Sequence, residues 1–191
     1  MILFLLNDIS NEITFRSISR SLGIKSETTV KKYVTYASET YLVFIVERYS
    51  RKIKTYPSSP KKLYCVDNGL LRIYTDNFIE KNGRLLENMV AVHLKRNQYD
   101  FYYYRKVDKI EVDFVLPDQN FAIQVCYVLN DGNERREIKG LMKVSDDLGI
   151  DNLLIITKSQ EKSLQINGHY INIIPAWKFI IFDLNHFRNK I

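Results

Sequence analysis

The sequence predicts a two-part α/β (α+β) protein: an N-terminal winged helix-turn-helix, then a mixed sheet flanked by helices in the order αβββαβ. Three observations carry this expectation. Two short amphipathic segments flank Gly23, each preceded by a hydroxyl residue suited to cap a helix. The stretch KIEVDFVLPDQNFAIQVCYVL, residues 109–129, holds two alternating runs around a Pro-Asp-Gln-Asn turn. A helical pattern over 134–148 then leads into the fully apolar NLLIIT.

Taken in order, Thr14 caps FRSISRSL, where Phe15, Ile18 and Leu22 share one face. After the turn Gly23-Ile24-Lys25, Ser26 caps a longer helix with Val30, Val34, Ala37 and Tyr41 on its inner face. Thr28, Thr29, Lys31, Lys32 and Thr35 lie outward near its N-terminus, hydroxyl and ammonium groups suited to base edges and phosphates. LVFIVERYS and KKLYCVD form the two wing strands, and Arg48, Arg51 and Lys52 at or near the tip are placed to bind phosphate without reading sequence.

Beyond a loop around Asn77–Gly83, RLLENMVAVHLKRN is a helix carrying Glu87 near its start, and FYYYR is a strand. In the next two strands Asp113, Gln124 and Cys126 occupy the polar sides, so a hairpin with those sides aligned gathers them. The helix over Glu134–Leu148 points Ile138, Leu141, Met142 and Leu148 inward. SLQINGHYINII closes on an Asn167-Gly168 hairpin, and Pro175 leads into the apolar AWKFIIF.

Charge and composition narrow the function classes. Residues 1–62 hold 11 Lys and Arg against five Asp and Glu, and residues 63–191 hold 17 of each, so the whole net charge of +6 lies in the first third. That asymmetry points to a polyanion partner for the N-terminal module. The longest apolar runs, Met1–Leu6 and Tyr41–Val46, are six residues each, against the ~20 a membrane helix needs. MILFLL also lacks a secretory leader's basic start and cleavage site, so a cytoplasmic, non-membrane protein is expected. Cys65 and Cys126 form no CxxC pair, and His93, His169 and His186 suggest no ligand set.

The run SLGIKSETTVKKYV, then KKLYCVDNGL, GRLLENMVAVHL, IEVDFV and IQVCY, resembles the C-terminal part of an uncharacterised archaeal and bacterial AAA+ ATPase family. In that family an ATPase module precedes a winged helix and a domain of unknown function with a PD-(D/E)xK restriction-endonuclease-like fold. The resemblance implies a winged helix over 1–67, a connector over 68–82 and a nuclease-like domain over 83–191. No GxxxxGK[ST] loop occurs among the seven glycines, and no room for a nucleotide fold precedes Thr14. The chain is expected not to bind ATP, and to be a truncated product, one half of a split gene or a fragment.

By the same resemblance Glu87, Asp113 and Gln124 are the nuclease-site positions, with Glu87 and Asp113 the metal carboxylates, and Cys126 stands where the family's Lys would be. A thiol with a reference pKa of ~8.5 cannot supply the cation that phosphoryl chemistry needs. The expectation is therefore a DNA-binding or scaffold protein with a degenerate nuclease site and no cofactor. Two alternatives stay open. One is a Mg²⁺-dependent nuclease whose cation comes from Arg135, Arg136 or Lys139. The other is an interaction module for a separate ATPase subunit or for a second copy of itself.

Overall fold

The computed structural model describes residues 1–50, 59–74, 82–106 and 110–188. Among them it is a mixed α/β structure with two sheets and seven α-helices. It divides into two units, Met1–Val92 and His93–Ile191.

The first unit runs α1 (Ile2–Asn7), β1 (Glu12–Ile13), α2 (Phe15–Leu22), α3 (Glu27–Glu39), β2 (Val43–Glu47), β3 (Lys61–Cys65) and α4 (Asn68–Tyr74), and it includes the start of α5 (Asn82–Arg96). Thr14 caps α2 reciprocally: its hydroxyl accepts from Ser17 N–H at 2.9 Å, and Ser17 Oγ accepts from Thr14 N–H at 3.0 Å. Gly23 ends the helix at φ 65°, the left-handed region that glycine enters without steric cost. Ser26 Oγ then accepts from Thr29 N–H at the start of α3.

The three strands pair antiparallel in the order β1-β3-β2. Leu5, Leu6, Ile18, Val30, Val34 and Leu63 share the core with Leu71 of α4, which lies inside the segment expected to be a connector. The expected inner face of α3 holds at Val30, Val34 and Ala37 but not at Tyr41, which is 82% exposed. The helix closes at Thr40, Leu42 N–H folds back to Ala37 O at 3.0 Å, and Tyr41 is left outside at φ 55°. The expected wing-tip residues Arg51 and Lys52, and residues 77–81 of the expected loop, lie outside the described residues.

In the second unit the end of α5 leads to β4 (Tyr102–Arg105), β5 (Glu111–Leu116), β6 (Phe121–Val125), α6 (Glu134–Leu148), β7 (Asn152–Thr157), β8 (Lys162–Ile166), β9 (His169–Pro175) and α7 (Ala176–Ile181), with a 3-10 turn at Leu184–Phe187. The sheet order is β4-β5-β6-β7-β9-β8. β6, β7 and β9 run parallel, and the other pairings are antiparallel. The parallel pair β6 and β7 is joined through α6, as a crossover requires. Both sides of β5 from Val112 to Leu116 are buried, so Asp113 is buried with them. The β8–β9 turn takes positive φ at Asn167 (50°) and Gly168 (84°), as a tight hairpin demands.

The inner face of α6 is turned slightly from the expected one. Ile138 and Leu141 are buried as expected, Met142 and Leu148 are half-buried, and Glu137, Gly140 and Val144 are buried instead. Gly140 explains the turn: a Cβ there would sit 3.0 Å from Glu111 O, so the helix comes closest to β5 where the side chain is a hydrogen. The far end of α6 is fixed by Asp147, whose carboxylate accepts from Tyr104 Oη and Lys106 Nζ at 2.5 Å each and from Lys143 Nζ at 2.9 Å. Burial alone would raise its pKa, but Lys106, Tyr104 and Lys143 hold it well below the usual carboxylate range.

Asn88 is fully buried in the first unit and makes three side-chain hydrogen bonds. Its Oδ1 accepts from Cys65 N–H, and its Nδ2 donates to Cys65 O and to Asn68 Oδ1, each at 2.8 Å. It ties α5 to the end of β3 and to the start of α4. Asn88→Ala leaves both backbone groups of Cys65 without these partners in a buried place, and should cost about 2–4 kcal/mol. Urea unfolding monitored by circular dichroism checks this. A loss below about 1 kcal/mol would show that the side chain is not the tie.

Candidate functional site

The second unit gathers a polar cluster where β6 ends and α6 begins. The β5–β6 register pairs Phe114 with Ile123 and Val115 with Ala122, and its continuation sets Asp113 opposite Gln124. Asp113 Oδ2 accepts from Val125 N–H at 2.9 Å. Gln124 is 8% exposed and donates to the carboxylate of Glu137, which enters from α6 at 5% exposure. The other end of the Gln124 amide, Oε1, is buried without a hydrogen-bond partner. Cys126 Sγ donates to Val128 O at 3.2 Å, and Asn133 Nδ2 reaches the same sulfur at 3.4 Å. The loop between β6 and α6 is clamped by Gln160, whose side chain accepts from Leu129 N–H at 2.6 Å and donates to Leu129 O at 2.8 Å.

Burial pushes the Glu137 carboxyl up. Its ion pair with Arg136 at 2.5 Å pulls it down, the charge of Asp113 pushes it up again, and the result is a pKa above the ordinary one. Burial likewise raises the Cys126 thiol, with the charge of Glu137 adding to it, so the thiol is neutral near pH 7.

The strand register thus sets Asp113 opposite Gln124, and Cys126 follows just past the end of β6. Of the three cations weighed on α6, Arg136 is the one that meets the cluster, through its ion pair with Glu137 and the charge of Asp113. Arg135 and Lys139 line a groove on the outer side of the helix. Glu87 belongs to the first unit, where its Oε1 accepts from Lys62 Nζ at 3.0 Å and from Tyr64 Oη at 2.8 Å. Lys62 is 2% exposed, so this is a buried pair, and removing one member of such a pair typically costs several kcal/mol.

Glu137 escaped the sequence reading. It shares a stripe with Leu141 and Val144 at i+4 and i+7, and a carboxylate on an otherwise apolar stripe is the signal that was available. The cluster suits a divalent metal poorly. One oxygen of Asp113 is committed to Val125 N–H, the amide oxygen of Gln124 is neutral, and the carboxylate of Glu137 is held by Arg136 and Gln124. Among the described residues no three His, Cys, Asp or Glu side chains are grouped to hold a metal ion.

The first unit offers a different surface. Thr28, Lys31, Lys32 and Thr35 are exposed on α3, Thr29 is half-buried, and Arg48 is exposed just past β2. Lys31, Lys32 and Arg48 have no acidic partner among the described residues. Tyr33 and Tyr36, 47% and 55% exposed, flank the same face and were not singled out by the sequence reading. Among the described residues no helix is long and apolar enough to cross a membrane.

Residues 82–179, half of the chain, match the family described as Domain of unknown function (DUF4143), and the chain belongs to that family. Residues 1–79 match a second, Domain of unknown function (DUF8612). The chain is 38% identical to Uncharacterized protein MJ1544 of the archaeon Methanocaldococcus jannaschii, over 92% of this chain and 42% of that protein. It is 25% identical to an Uncharacterized protein of Haemophilus influenzae, over 93% of this chain and 44% of that one. The chain therefore spans less than half the length of these relatives. No solved structure matches it.

The raised pKa of Glu137 fixes a pH dependence. A carboxyl with a folded pKa above its unfolded one contributes stability that is complete below the unfolded value, near 4.5, and is lost as pH rises through the folded value. Glu137→Gln keeps the shape and an acceptor for Gln124 while removing the buried charge, and the Arg136 partner it gives up is 81% exposed. The variant should melt above the natural protein at pH 8, and the gap should close as pH falls toward 4. A variant that melts lower at pH 8 would contradict the raised pKa.

Proposed function

We propose that the chain is the non-catalytic, DNA-binding portion of an AAA+ ATPase-like protein. In this reading the elements from α1 to β3 are a winged helix, α3 is its recognition helix, and the second unit is a nuclease-like domain that has lost its chemistry and serves as a scaffold. The observation that carries the DNA-binding part is the outer face of α3, where Lys31 and Lys32 stand exposed between Thr28 and Thr35 with no acidic partner among the described residues. Arg48 adds a third such cation, and the whole positive excess of the sequence lies in this part of the chain. Hydroxyls and ammonium groups at the start of a capped helix suit phosphate and base-edge contacts.

The loss of chemistry is supported by the cluster beside β6. A nuclease of this kind needs carboxylates free to hold a metal and a cation free to meet the phosphate. Here Gln124 brings a neutral amide, Cys126 a neutral thiol, and Arg136 is paired with Glu137. The relatives extend to more than twice the length of the chain, and the ATPase module implied by the resemblance would belong to such an extension or to a separate subunit.

If α3 docks on duplex DNA, changing Lys31, Lys32 and Arg48 together to Ala should flatten the dependence of log K on log salt by about 0.9 for each phosphate that is no longer neutralised, roughly 2.7 in all. Fluorescence anisotropy with labelled duplex DNA across a salt series reads the slope directly. An unchanged slope would remove this face from DNA binding.

A further inference from the structure

We infer that Tyr33 and Tyr36 of α3 form a stacking platform for unpaired bases, so that the DNA this face prefers carries a single-stranded stretch beside its duplex. The inference rests on the DNA-binding reading of α3 and adds to it the form of the nucleic acid. Both rings are exposed, and neither has a hydrogen-bond or ring partner among the described residues. They stand three residues apart, which makes them neighbours on one flank of the helix, and Lys32 lies one turn before Tyr36 on the same surface.

What else α3 exposes separates the possible occupants. Among the described residues from Phe4 to Arg72, the exposed large apolar side chains are Tyr33, Tyr36 and Tyr41. A helix that docks into a protein groove presents aliphatic or aromatic anchors at i, i+3, i+4 and i+7. The exposed positions of α3 hold no aliphatic chain, only the two rings, Thr28, Lys31, Lys32 and Thr35, and two acids.

The acids do not cancel the cations. Lys25, Lys31, Lys32 and Arg48 are exposed and have no acidic partner among the described residues, against Glu27 and Glu39. Glu27 is nine residues before Tyr36, two and a half turns, and so lies across the helix from it. Glu39 lies one turn beyond Tyr36, at the negative end of the helix dipole. A phosphate backbone is therefore drawn from the rings toward Lys32 and Lys31, away from Glu39.

In a duplex the base faces are already stacked, and only their edges are open in the grooves. Two exposed rings gain most from bases with a free face, and rings beside cations are the two parts from which single-strand sites are built.

Fluorescence anisotropy of the full chain with three labelled DNAs tests this: a blunt duplex, the same duplex with a single-stranded tail of either polarity, and the single strand alone. The natural chain should bind the better tailed duplex at least about fivefold more tightly than the blunt one, the low end for one stacked base. Tyr33→Ala with Tyr36→Ala should weaken binding to the tailed duplex at least about fivefold and to the blunt duplex less than about twofold, with the salt slope unchanged because no phosphate contact is lost. Tyr33→Phe with Tyr36→Phe should keep the natural affinity, because the ring face makes the contact. Equal binding of tailed and blunt duplex by the natural chain overturns the inference, and this comparison needs no variant. An Ala pair that leaves the tailed duplex unaffected or weakens both duplexes equally, or a Phe pair as weak as the Ala pair, overturns it too. A concentration-dependent dimer lost in the Ala pair assigns the rings to a second copy, with the same consequence. Salt-dependent duplex binding without a preference for the tail sinks this inference alone, whereas absence of salt-dependent DNA binding sinks the DNA-binding reading and this inference with it.

Discussion

Glu137 reaches the sheet where Gly140, three residues later, lets α6 come so close to Glu111 O that a Cβ would sit 3.0 Å from it, tighter than most side chains make. Once buried there, the carboxylate needs partners, and the available ones fix the neighbourhood. Gln124 turns its amide N–H toward Glu137, which leaves Oε1 without a partner. Arg136, itself exposed, pairs with the carboxylate from the solvent side, and the sum of burial and the Asp113 charge keeps the Glu137 pKa high. The two carboxylates therefore already have protein partners, whereas the carboxylates of a metal centre must stay available to an incoming ion.

Much of this was legible from residue order. The alternation of IEVDFV and FAIQV sets Asp113 and Gln124 on the same side of a hairpin, and the observed register places them opposite each other. The Thr14 and Ser26 caps and the Gly23 turn were equally readable, because capping depends on residue type at fixed offsets. Periodicity failed at two places. Tyr41 continues the 3.6 spacing of α3, but the helix closes one residue earlier and turns the ring outward. On α6 the apolar pattern over Ile138, Leu141, Met142 and Leu148 hid the inward position of Glu137. A single charged residue on a buried stripe is ordinarily weighted toward solvent, and only the close approach at Gly140 overrides that weight.

The two units divide the chain's chemistry. The first carries exposed cations on α3 and ties its helices to β3 through Asn88 and through the buried Lys62–Glu87 pair. In that pair Glu87 stabilises the first unit directly, so a helix carboxylate at this position has a structural reason to exist apart from any catalytic inheritance. Beyond residue 62 the chain carries as many acids as bases, and several of those in the second unit are paired.

The proposal that this cluster holds no working metal site is tested most directly by Mn²⁺ titration of the ¹⁵N-labelled chain, followed through the backbone amide of Val125 and the side-chain amide of Gln124. These groups lie beside Asp113, so an ion held there broadens them before any others. With both carboxylates already partnered, millimolar Mn²⁺ should broaden them no more than amides elsewhere in the second unit. Selective, saturable broadening of Val125 and Gln124 that excess Mg²⁺ reverses would show a working metal site and contradict the disarmed reading.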